Sequence, residues 1–98
     1  MGIRGSITVV KITGADQELL SPSEKRYAVL FQASPGNTGT IAVNNRTLVA
    51  ADDGAIVASG PLGYPLCARE WGDLVKGPWR AFGSVAGDFV TIIESVEI

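Results

Sequence analysis

The sequence predicts an all-β protein, an antiparallel β-sandwich or barrel of about seven or eight short strands with at most one helical turn. Three observations carry this. Short β-branched and aromatic runs recur along the chain. Clusters of Gly, Pro, Asn and Asp separate them at close spacing. No connection is long enough for the helical crossover that parallel strands require.

Residues 1–5 (MGIRG) are small and weakly restrained, and are expected to be a flexible arm. Residues 6–98 form a single β-sandwich domain. Ser6 to Ile12 (SITVVKI) is the first strand, ended by Thr13-Gly14-Ala15-Asp16. Asp16 to Leu20 has the length of one helical turn, which Ser21-Pro22 stops. Lys25 to Ala33 (KRYAVLFQA) alternates Tyr27, Val29, Phe31 and Ala33 on one face with Ala28, Leu30 and Gln32 on the other. Both faces are largely apolar, so the strand is central. Ser34-Pro35-Gly36-Asn37-Thr38-Gly39 is a tight turn, since Pro presets φ and Gly and Asn accept turn geometry. Thr40 to Val43 returns as a short partner strand.

Thr47 to Ala51 and Ala55 to Ala58 flank Asp52-Asp53-Gly54, a hairpin signal. Gly60-Pro61-Leu62-Gly63-Tyr64-Pro65 is rigid irregular chain. Leu66 to Arg69 and Asp73 to Val75 are weaker strands. Trp79 to Phe82 is a strand, Gly83 to Asp88 a turn, and Phe89 to Ile98 (FVTIIESVEI) the last strand.

The chemistry available is limited. The chain has 98 residues, a net charge of −2, no His and one Cys. Without His the commonest general base and metal ligand is missing. Cys67 alone makes no internal disulfide and no zinc knuckle, and between Leu66 and Ala68 it is a small apolar group. Asp52 and Asp53 face opposite ways in a strand and form a solvated turn, not a converging carboxylate pair. No glycine cluster opens a helix as a phosphate loop does. These features point away from an enzyme, and no cofactor or metal is expected.

The acidic balance leaves no basic footprint for nucleic acid. No run is long enough to cross a bilayer, and no basic-then-apolar leader opens the chain. Met1-Gly2-Ile3-Arg4-Gly5-Ser6 fits the permissive myristoylation pattern and Asn45-Arg46-Thr47 the glycosylation sequon; both are taken as chance. Of the aromatic residues, Phe31, Phe82 and Phe89 are expected in the core. Tyr64, Trp71 and Trp79 are the candidates for stacking on a sugar ring or anchoring an interface. Val96-Glu97-Ile98 ends the sequence on strand formers able to add to a neighbour's sheet edge.

Arg26 to Val43 resembles a pattern in small virion proteins of tailed bacteriophages. There an Arg-led apolar strand ending in Gln-Ala runs into a Pro/Asn-Thr-Gly turn and a short Ile-x-Val strand. Gly83-Ser84-Val85-Ala86-Gly87-Asp88-Phe89-Val90 is similar to the closing Gly-x-x-x-Gly-Asp-x-Val hairpin of those chains. Together the two segments cover about a quarter of the sequence. The stretch between departs from the pattern, with Gly60 to Pro65 in place of a Pro-Gly turn and Asn44 where Gly follows the Ile-x-Val strand.

The resemblance implies a head decoration, or cement, protein. Such a protein is made in the host cytoplasm, binds the exterior of the assembled capsid as a homotrimer and bridges major capsid protein subunits. Neither nucleic acid nor membrane is an expected partner. On that reading Met1, Gly2, Ile3, Arg4 and Trp71 contact the capsid, and Val96 and Ile98 in the last strand make the oligomer contact. The alternatives are a carbohydrate-binding or adhesin module stacking sugars on Tyr64, Trp71 and Trp79, and a tail or connector component.

Overall fold

The computed structural model describes residues 2–50, 52–57, the backbone of 66–67, and 71–97. Eight strands among them form two antiparallel sheets. Sheet A orders β1 (Ile3–Lys11), β8 (Phe89–Glu97), β3 (Arg26–Ala33) and β6 (Leu66–Cys67) side by side. Sheet B orders β2 (Gln17–Leu20), β7 (Trp79–Gly83), β4 (Ile41–Asn44) and β5 (Ala55–Ile56). The all-β sandwich expected from the sequence is the observed architecture, and β3 has a strand on each side, as expected of a central strand.

Alternation decides what each strand buries. Val29 and Ala33 of β3 and Val90 and Ile92 of β8 face inward from sheet A. Ile41, Val43, Trp79 and Ala81 meet them from sheet B, and Ile12 and Val75 close the two ends. Each buried aliphatic side chain is worth about 1.5–3 kcal/mol relative to exposure. The Phe31 ring packs against Trp79 with centroids 5.2 Å apart and planes tilted by 56°. Phe89, expected in the core, is 41% exposed, because Val90 and Ile92 take the inward positions of its strand.

The connections differ from the expected hairpins. Apart from β4 to β5, every step between consecutive strands crosses from one sheet to the other. The 34–39 and 84–88 turns are therefore sandwich corners: Thr40 to Val43 does not pair with the strand before it, and β8 does not pair with β7. A corner lets both flanking strands press their apolar sides against each other across the core, which a hairpin within one sheet does not.

Four local expectations are corrected. Asp16 to Leu20 is a strand from Gln17, not a helical turn. Its register slips between Glu18 and Leu20, so the adjacent Leu19 and Leu20 both pack on the core. Residues 47–50 lie in no strand, and β5 pairs with β4. Asp73 to Val75 is no strand: Asp73 and Leu74 lie in a 3₁₀ turn, Gly72–Leu74, and the fully buried Val75 that caps it plugs the core. β1 begins at Ile3, so Ile3, Arg4 and Gly5 are not a flexible arm: they pair with Glu97, Val96 and Ser95.

Candidate contact surface

The two segments that carry the resemblance are far apart in sequence and meet at one end of the sandwich. Asp88 is 6% exposed and turned into the 34–39 loop. The Thr38 N–H donates to its Oδ1 (3.0 Å) and the Gly39 N–H to its Oδ2 (2.8 Å). Asn37 forms a reciprocal pair with Phe89. Its Nδ2 donates to the Phe89 carbonyl and its Oδ1 accepts from the Phe89 N–H, each at 2.8 Å. The Thr40 N–H donates to Ser84 Oγ (2.9 Å). A Cβ at position 39 would overlap Ser84 Oγ and lie 2.8 Å from Val85 Cγ2, so any larger residue there must displace both side chains and with them the Thr40–Ser84 bond. The turn residues 37–40 of the first motif are thus engaged with residues 84–89 of the second, as a staple between corners.

At the opposite end Arg26 is 3% exposed. The β3 ladder slips between Arg26 and Ala28, so Arg26 turns inward like Val29 three residues later. Its Nε donates to Glu94 Oε2 (2.9 Å), Nη1 to the carbonyls of Val75 (3.1 Å) and Gly77 (2.9 Å), and Nη2 to the Ser21 carbonyl (2.8 Å). A planar guanidinium serves several directions at once, as one ammonium does not. Arg26 therefore fixes the segment that carries Trp71, 48% exposed, to the end of the sheet where Val96 pairs with Arg4.

The outer faces of the two sheets are treated differently. Sheet B is covered by its own chain. Asp16 is held by the Arg80 guanidinium (Nη2 to Oδ2, 2.7 Å) and accepts from the Leu48 N–H (3.2 Å). Asp53 holds Arg46 and the Val49 N–H. Between these anchors the 45–54 loop buries Leu48, and Ala42 is fully buried beneath.

Sheet A has no such cover among the described residues. Val10 is the β1 residue packed on the core, so Ile3, Ile7 and Val9 point outward, 53%, 70% and 61% exposed. Ile7, Ile93 and Leu30 lie in one row across three strands. Beside that row Gly5, Ser95 and Ala28 leave an open hollow of about 240 Å³.

The sequence-predicted contact residues fall on this side only in part. Ile3 lies on the outer face, Arg4 on the opposite face of the same strand, and Trp71 at the Arg26 end. Val96 is inside sheet A, between Arg4 and Arg26, so β8 has no open edge to offer a neighbour; the open long edge is β1. Trp79 is 5% exposed, packed on Phe31, and cannot serve as a stacking platform for a sugar. Met1, Tyr64 and Ile98 lie outside the described residues, as does the Cys67 side chain. Ile7 and Val9 were not singled out from the sequence. Their signal was the second apolar register of the first strand, with Ile3, Ile7 and Val9 alternating against Val10.

The two acidic anchors set an acid limit. Hydrogen bonding from Arg80 holds the Asp16 carboxyl below its usual 3.8, and the Leu48 N–H adds to this against partial desolvation. Arg46, with the Val49 N–H, does the same for Asp53. A carboxyl depressed in the folded state favours folding above its unfolded pKa, and that contribution is lost as pH falls through the folded value. The urea midpoint is therefore expected to be flat from pH 7 to about 5 and to drop below about pH 4. Asp16→Asn should flatten part of that drop; an identical acid profile in this variant would remove Asp16 from the account.

Three or more His, Cys, Asp or Glu side chains grouped to hold a metal ion are not found among the described residues. No helix among them is long and apolar enough to cross a membrane. No protein-family model matches the chain, and neither a curated protein nor a solved structure shows significant similarity to it.

Proposed function

We propose that this chain is a contact protein of a virion shell, a decoration protein that binds the exterior of an assembled tailed-bacteriophage head and bridges its major capsid subunits. The observation that carries this reading is the difference between the two outer faces: one covered in part by the loop that buries Leu48, the other, with Ile3, Ile7 and Val9 exposed, uncovered among the described residues. A face of this kind is an expected interaction site. The resemblance supplies the class of partner. The stapled corners supply the stiffness that repeated docking needs.

A protein that binds the assembled shell and not its dissociated subunits stabilises the shell by mass action. Weak single contacts suffice when symmetry repeats them over the particle. Gly2, Ile3 and Arg4, with Trp71 at the same end, are the proposed capsid contact. The carbohydrate reading is weaker, because burial of Trp79 removes one of its three platforms.

The test is co-sedimentation of the purified protein with assembled heads that lack it. Wild type should pellet with the heads, and Arg4→Ala combined with Trp71→Ala should bind about tenfold more weakly or worse, as loss of a central aromatic and an Arg contact does elsewhere. Wild type left in the supernatant would refute the decoration role. Quantitative mass spectrometry of intact particles separates the remaining alternative, since a decoration protein is present in hundreds of copies and a connector in about a dozen.

A further inference from the structure

We infer that two copies of this chain pair through β1, edge to edge and antiparallel, about a two-fold axis passing beside Ile7, so that two four-stranded sheets become one sheet of eight. The inference stands on the open edge itself and does not need the decoration reading.

β1 is an unusual edge. It is nine residues long, and its ladder to β8 runs through nine pairs with no bulge. The other edge strands, β2, β5 and β6, have only four, two and two residues. Proteins blunt long edges with Pro, bulges or central charges. β1 has no Pro and no bulge, and its charges, Arg4 and Lys11, sit near its ends. Residues 3–9 are exposed on both faces, and Val10 is the β1 residue that packs on the core. The strand is held by one neighbour and offers its other edge and two side-chain rows to something else.

A second copy fits that vacancy in one register. Ile7 is the midpoint of Ile3–Lys11, so pairing all nine residues places Ile7 opposite Ile7 of the second copy. Ser6 then lies opposite Thr8, Gly5 opposite Val9, Arg4 opposite Val10 and Ile3 opposite Lys11. On the outer face the row Leu30, Ile93, Ile7 continues into Ile7, Ile93, Leu30 of the second copy, an unbroken apolar ridge. Val9 of the second copy stands over Gly5, at the side of the hollow lined by Gly5, Ala28, Leu30, Ile93 and Ser95.

Charge fits as well. Ile3 has Glu97 as its β8 neighbour, and Lys11 of the second copy would flank Ile3 on its other side. That cation and carboxylate lie on the same face, two strand spacings or roughly 10 Å apart along the row, within joint reach of their side chains. The two-fold repeats the match. Arg4 projects from the opposite face to Lys11, so like charges do not meet. Any other two-fold register leaves end residues unpaired and separates Lys11 from Glu97.

One strand pair with its flanking side chains is at the small end of specific interfaces, so the dimer should be reversible and concentration-dependent. The test is sedimentation equilibrium of the purified chain from micromolar to millimolar concentration. Wild type should pass from monomer to dimer. Ile7→Glu sets two carboxylates against each other on the axis, and should raise the dissociation constant about tenfold or more. Lys11→Glu should weaken the dimer, and adding Glu97→Lys should restore it. That rescue keeps the register testable if Ile7→Glu disturbs the monomer by circular dichroism. A wild type that stays monomeric, assembles as a trimer, or dimerises with no response to Lys11→Glu and its rescue would overturn the inference. A dimer that fails to bind heads would overturn the decoration reading alone.

Discussion

Arg26→Met is expected to lower the unfolding free energy by about 3–5 kcal/mol, the range for breaking a buried ion pair from one side. Met keeps much of the side-chain volume, so the loss is polar in origin. Glu94 loses its partner, and the carbonyls of Ser21, Val75 and Gly77 lose their donors together. Against a total stability of about 5–15 kcal/mol for a domain of this size, that is a large fraction. Tm should fall by tens of degrees, since each kcal/mol moves it by about 4–8 °C. Arg26→Lys should recover only part, because one ammonium cannot reach a carboxylate and three carbonyls in different directions. Adding Glu94→Leu to Arg26→Met should recover the share due to the stranded carboxylate and leave the carbonyls unserved. A Tm for Arg26→Met within a few degrees of wild type would show that the guanidinium network does not hold this end of the sandwich. The consequence reaches the proposed capsid contact, because Arg26 holds the carbonyls of Val75 and Gly77 in the segment bearing Trp71.

This network also marks what the sequence conveyed and what it did not. The strands were legible because β-branched runs and turn residues report local preference, and the local chemistry of β1, β3, β7 and β8 agrees with their final state. The sheet assignment was not legible. A Pro-Gly-Asn-Thr-Gly turn suits a hairpin and a sandwich corner alike, and long-range packing decides between them. The helical reading of Asp16 to Leu20 failed for a related reason: Leu19 and Leu20 look like one side of a helical turn, and a bulge gives a strand the same appearance. The buried ion pair left a trace that could have been followed. Val90, Ile92 and Glu94 share one face of the last strand by parity, so a carboxylate stands on the core side and needs a cation. The bare face left one too, in the two apolar registers of residues 3–10. What no local pattern conveys is that the segment carrying Leu48 folds back over sheet B, while sheet A has no such cover among the described residues.

Asp88→Ala should cost about 2–4 kcal/mol, through a different mechanism and at the other end of the molecule. The carboxylate is buried and accepts from two backbone amides, Thr38 and Gly39, with a longer contact from Thr38 Oγ1 at 3.4 Å. Removing it takes the acceptor from two part-buried donors, each toward the lower end of the range of about 1–3 kcal/mol that a fully buried orphan costs. Asp88→Asn keeps the shape but turns an NH₂ toward one of the two N–H groups, so it should recover no more than about half of the loss. The backbone bond from the Ile12 N–H to the Asp88 carbonyl (2.7 Å) survives both changes, so the corner loosens without detaching. Hydrogen exchange then separates local from global effects. The Thr38 and Gly39 amides should exchange faster in Asp88→Asn under conditions where the amides of Val75 and Gly77, beside Arg26, remain protected. Equal acceleration at both ends would mean that the carboxylate supports the whole fold and not one corner, and an unchanged Thr38 amide would mean that the staple is held by Asn37 and Ser84 without it.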